Sequence, residues 1–187
     1  MTPNVEWEWN QNEVQPGFDQ VMAMPIAGNM TDDNGDGVIG VGDVPDVAFT
    51  SFKGSGYPHS GALNVLSGDT GELIWSQTSI DGHKPEGATG VALADLGDGQ
   101  GLGLFLMTSG GLTAVNVNGT HRWTTAYNDS SLKGWSFPSV YDMEGDGVAE
   151  APQVTYEGHV VAVPGLAGHQ GHARQRQRRA PELPGEP

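Results

Sequence analysis

Oxygen-bearing side chains gather at fixed spacing in the first third of the chain. Asp32, Asn34 and Asp36 stand at alternate positions, Gly37 follows at once, and Asp43 lies further on. This reads D-x-N-x-D-G-x5-D, the twelve-residue calcium-loop pattern with Asp in place of the closing Glu. The spacing has a physical reason. Calcium takes about six to eight hard oxygen donors, and alternate carboxylate and amide oxygens can wrap one ion. Gly37 permits the sharp turn that brings the later backbone inward. Val38 then offers its carbonyl, Gly40 a position for water, and Asp43 a closing carboxylate. The blander reading is a solvated turn without an ion. It leaves Asp32, Asp33 and Asp36 repelling one another with nothing to offset them.

A second loop repeats the chemistry in a nine-residue form. Asp142, Glu144 and Asp146 alternate, Gly147 follows, Val148 offers a carbonyl and Glu150 a closing carboxylate. Aligning the two loops sets Asp46 opposite Glu150. The first loop therefore has two candidates for closure, Asp43 and Asp46, and the twelve-residue spacing favours Asp43. Between them lies a third, defective loop. Asp95-Leu96-Gly97-Asp98-Gly99 is one residue short, and Leu102 stands where a closing acid belongs. Two carboxylates are too few for a dedicated cage, so weak or no calcium binding is expected there.

The elements that must carry these loops repeat as well. Each loop is followed by a short apolar run, then by a second one. In the first two units a Gly-containing turn and a run ending in Trp75 or Trp123 come next. The third unit matches as far as Val163 and then departs. Ahead of the first unit, residues 5–9 (VEWEW) read as the closing strand of a preceding unit. The loops recur at intervals of roughly 45 to 65 residues, which suits four-stranded propeller blades, the first unit being longer because residues 38–44 sit inside its loop. A blade cannot bury both faces alone, so blades must stack, and the recurring indoles suit that packing better than ligand recognition. The expectation is an all-β partial β-propeller of about three four-stranded blades with calcium loops. Its parts would be a closing strand and linker at residues 1–23, blades at 24–75 and 76–123, an incomplete blade at 124–168, and a disordered basic tail at 169–187.

At these residues the sequence resembles the FG-GAP repeat family, the calcium-bearing propeller blades of integrin α-subunits and many bacterial secreted proteins. The likeness is carried by Asp32 to Asp43, Pro45-Asp46-Val47, and Asp142 to Glu150, and covers roughly residues 5 to 163. It implies a propeller, typically seven-bladed, with calcium in an inter-strand loop remote from any catalysis. It also implies a role in adhesion or ligand binding, with Asp32, Asn34, Asp36, Asp142, Glu144, Asp146 and Glu150 as metal ligands. The stretch from Ser67 to Trp75 is similar to the T-G-x-x-x-W docking motif of quinone-type propellers, read here as shared blade packing.

Composition narrows the function further. The net charge is −15, and four of the eight basic residues lie in the tail, which argues against a nucleic-acid partner. No apolar run approaches the roughly 20 residues of a membrane span. Cysteine is absent, which removes disulfides, thiolate metal sites and cysteine nucleophiles. The first residues lack a basic and an apolar signal region, so the chain is either cytoplasmic or an internal piece of a longer precursor. Extracellular calcium modules bind at roughly 10⁻⁴ to 10⁻³ M, a range of use only outside cells, so export to the extracellular space or cell surface is expected. The six histidines form no H-E-x-x-H set, and there is no G-x-S-x-G elbow or P-loop. A non-catalytic surface for protein or glycan ligands is therefore expected, with the remaining blades supplied by a longer parent chain. The alternatives are a calcium-dependent polysaccharide lyase or other propeller enzyme, and a purely structural spacer. His83, Lys84 and Glu86 could act as base and acid, but the lyase also needs clustered cations. Outside the tail only Lys53, Lys84, Arg122 and Lys133 exist.

Overall fold

A computed structural model of the chain describes residues 4–54, 60–125, 137–154 and 160–164. The tail at 169–187, with His59, Lys133, His159, His169 and His172, lies outside them. The described residues form ten antiparallel strands in three sheets and no helix. Accordingly, among them no helix is long and apolar enough to cross a membrane.

The first sheet holds β1 (Ile26–Gly28), β2 (Asp46–Phe52), β3 (Gly61–Leu66) and β4 (Leu73–Gln77) in sequence order. The second repeats this layout with β5 (Val91–Asp95), β6 (Leu102–Thr108), β7 (Gly111–Asn116) and β8 (His121–Thr124). The third pairs β9 (Glu150–Val154) with β10 (Val160–Pro164), and Tyr141 bridges to Glu150 ahead of them. The apolar runs named from sequence are β2, β3, β6, β7, β9 and β10. β1 and β5, each the edge strand that opens its sheet, are not among them. Residues 5–9, expected as a strand, are not paired into a sheet.

The sheets stack on their faces. Alternate residues of a strand point to opposite sides. Leu104 and Leu106 of β6 therefore face the first sheet, packing with Ala48, Leu63 and Val65. Phe105 and Met107 face the third, packing with Ala149, Ala151 and Val163. Because both faces are covered, β6 reads as a continuous apolar run rather than an alternating one.

Two tryptophans donate to the tight turn before the last strand of a sheet. Trp7 Nε1 donates to the carbonyl of Gly68 at 2.9 Å, at the turn of the first sheet. Trp75 Nε1 donates to Val117 at 3.0 Å, at the turn of the second, and Gln77 donates to Gly119 beside it. A Cβ on Gly71 would lie 2.7 Å from the Trp7 ring, so a side chain there would expel the indole. Residues 4–12 are thus tied to the first sheet by Trp7, by an edge-to-face contact of Trp9 on Phe49, and by Asn12 bonding buried Asn64. The first and second sheets also slip register between their third and fourth strands, leaving Ile74 and Arg122 as the extra, bulged residues.

Candidate metal centres

The two intact loops fold around one aspartate each, in the same way. Asp32 Oδ1 accepts the N–H groups of Gly35 and Asp36, and its Oδ2 accepts that of Gly37 at 2.8 Å. Asp142 Oδ1 accepts from Gly145 and Asp146, and its Oδ2 from Gly147, also at 2.8 Å. At the fifth position, Asp36 accepts from Val38 and Asp146 from Val148. Gly37 and Gly147 both have φ of 87°, a left-handed conformation costly for any other residue. Two stretches far apart in sequence thus share one hydrogen-bond scheme.

The closing residues match too. Asp43 Oδ1 accepts the N–H of Asp33, and Glu150 Oε2 accepts that of Met143, each the second residue of its loop. Asp43 Oδ1 also accepts from Asn34, and its Oδ2 from Gly40 at 2.7 Å. By hydrogen bonding, Asp43 is the counterpart of Glu150. By strand position Asp46 is, since both Asp46 and Glu150 open the strand that follows the loop. The inserted residues 38–44 explain the divergence: they let a side chain inside the loop reach the place that Glu150 reaches from the strand.

Asp46 does something else. It is 1% exposed, and its Oδ2 accepts from the Met30 N–H and the Thr31 hydroxyl, immediately before the loop. Its Oδ1 is buried with no hydrogen-bond partner. A buried carboxylate oxygen without a partner is costly unless a cation compensates it.

Backbone N–H groups set the electrostatics of the loops. Asp43 is held below the ordinary carboxylate range, chiefly by the Gly40 N–H, against the opposing effect of burial and with help from those of Asn34 and Asp33. Asp142 is held low in the same way, chiefly by Gly147 against burial, with help from Gly145, Asp146 and Glu144. Both stay ionised and able to bind a cation. Among the described residues, however, no three carboxylate or histidine side chains converge as a ready-made metal cage. Asn34 Oδ1 turns back to the Asp36 N–H, while Val38 and Glu144 stay outward and exposed. The donor set is hard oxygen throughout, carboxylate, amide and backbone carbonyl, which fits calcium rather than zinc or copper.

The middle loop differs. Asp95 caps only Gly97, and Asp98 accepts from Gln100 as its counterparts accept from Val38 and Val148. Leu96, in the loop's second position, is fully buried against Ala149. Elsewhere, the ring of His83 lies over Gly110, whose Cβ would fall 2.6 Å from it, and its backbone closes a tight turn with Ile80.

No family model and no curated protein matches the chain. Among solved structures it is similar to the crystal structure of the V. cholerae biofilm matrix protein Bap1, with 27% sequence identity and a TM-score of 0.70. The match covers 84% of this chain and 28% of that one, so the chain spans under a third of its neighbour's length.

Proposed function

We propose that the chain is part of an extracellular, calcium-stabilised β-propeller of the FG-GAP type, which presents a surface to protein or glycan ligands without catalysis. The observation that carries this reading is the shared scheme of the two loops. Asp32 and Asp142 gather the same three N–H groups, and Asp43 and Glu150 close on the same position. Asp32, Asn34, Asp36, the Val38 carbonyl and Asp43 would hold one ion. Asp142, Glu144, Asp146, the Val148 carbonyl and Glu150 would hold another. Asp46 would place its unpartnered oxygen at the edge of the first site. Each ion would offset part of its loop's negative charge and fix the start of the following strand, so binding energy becomes folding energy.

Face-to-face stacking of the sheets and the indole links between them support the propeller. So does the likeness to a biofilm matrix protein, which also supports a place outside the cell. Residues 5–9 would then be the outer strand of a preceding blade, and further blades would come from a longer parent chain.

Isothermal titration with CaCl₂ tests the reading. Wild type should bind two ions with Kd of roughly 10⁻⁴ to 10⁻³ M. Asp32→Asn and Asp142→Asn should each leave one. Heats no larger than dilution in all three proteins would remove calcium from the account.

A further inference from the structure

The middle loop lacks the acids for a metal, yet it holds its turn against the third sheet. Arg122, on β8 and reaching past β7, explains how. One terminal nitrogen of Arg122 donates to three backbone carbonyls in succession: Gln100 at 3.1 Å, Gly101 at 3.0 Å and Leu102 at 2.7 Å. Nε donates to Asn116 Oδ1 at 2.6 Å. The other terminal nitrogen lies 3.6 Å from Asp98 Oδ2, and the two side chains are 1% and 8% exposed. That nitrogen makes no hydrogen bond and meets Asp98 as an ion pair. The guanidinium is therefore ringed by three carbonyls, an amide oxygen and one carboxylate. These are hard oxygen donors of the kind calcium collects.

Two details show that the place is built. Arg122 is the bulged residue of β8, and a bulge re-aims a side chain relative to its strand. The same bulge in the first sheet carries Ile74, an apolar side chain that offers no cation. Gly103 completes the seat: a Cβ there would lie 3.0 Å from the guanidinium carbon and from Nη1, so a side chain at this position would crowd the planar group where it lies on β6.

We propose that Arg122 is the resident cation of the middle loop, doing with a side chain what a metal does in the other two. The comparison with those loops rests on the calcium reading above; the anchoring of the middle loop does not. The middle sheet is then a calcium-independent unit. It offers a fixed platform to the third loop, since the Ala149 N–H donates to the Leu96 carbonyl and Gly97 packs on the Gly147 backbone.

Hydrogen exchange followed by mass spectrometry, on wild type, Arg122→Gln and Arg122→Lys, with calcium and with chelator, tests this. In wild type, peptides covering residues 98–116 should stay protected under both conditions, while those covering 32–43 and 142–150 should exchange faster in chelator. Arg122→Gln should speed exchange over residues 98–103 about tenfold or more, whether or not calcium is present. Arg122→Lys keeps the charge without the fork and should fall between. If residues 98–116 of wild type respond to calcium as the other loops do, or if Arg122→Gln leaves residues 98–103 protected, the proposal is overturned. If residues 32–43 and 142–150 ignore calcium while Arg122→Gln still loosens the middle loop, the calcium reading fails and the arginine anchor stands. Should Arg122→Gln not fold, the wild-type comparison alone decides.

Discussion

Gly37 and Asp46 carry the physics of the first loop at the scale of single residues. Gly37 has φ of 87° with open space where a Cβ would project, so Gly37→Ala tests backbone strain without a clash. It should cost about 1–2 kcal/mol in denaturant unfolding, and Gly147→Ala should behave alike. Asp46 holds a buried oxygen with no partner. Asp46→Asn should weaken calcium binding at the first loop about 10- to 100-fold while leaving the Asp142 loop unchanged, as read by calorimetry. The aspartates also set an acid limit. Asp43 and Asp142 titrate below the ordinary value of 3.8, so the folded chain binds fewer protons there than the unfolded one. Their stabilisation is complete above that value and is lost as pH falls through the lowered folded values. Calcium-free melting temperatures should therefore drop on acidification through this range, and Asp43→Asn with Asp142→Asn should flatten the drop. The loop acids and the Gly after the fifth position were legible in the sequence because spacing alone encodes them. The orphaned oxygen of Asp46 and the role of Arg122 were not, because both depend on which backbone groups another segment brings near.

Strands and turns behave as one repeated element. The strands most legible in sequence are those buried on both faces, such as β6, whose residues 104–107 are all fully buried apolar side chains. The short β1 and β5 were not legible, since residues such as Gly28 and Asp95 sit at exposed or half-exposed edges and leave no alternation to read. Residues 5–9 read as a closing strand because they end in Trp as the later units do, yet what fixes them is Trp7 on Gly68 and Trp9 on Phe49. The indole link is the element's testable joint. Trp75→Phe keeps most of the ring and removes the N–H to Val117. It should cost about 0.5–1.5 kcal/mol, seen as a fall of roughly 1–6 °C in melting temperature. Trp123 occupies the matching place in the second sheet, and its Nε1 is buried with no partner among the described residues.

The whole molecule is a stack of sheets whose acid is concentrated in the loops that precede the longer strands. The all-β class was legible from short apolar runs and glycine turns, and the stacking from the recurrence of tryptophan at one place in the unit. A net charge of −15 disfavours the compact state unless counter-ions offset it. On the proposed reading two of those counter-ions are calcium, and Arg122 fills a third cationic place. Magnesium, smaller and stricter in geometry, should not substitute for calcium. Thermal unfolding of wild type in chelator against about 10 mM calcium, with magnesium as the matched control, tests that assignment most directly. Calcium should raise the melting temperature by about 10 °C, from two sites of the affinity expected here, and magnesium should raise it little. Equal melting temperatures in all three solutions would contradict it.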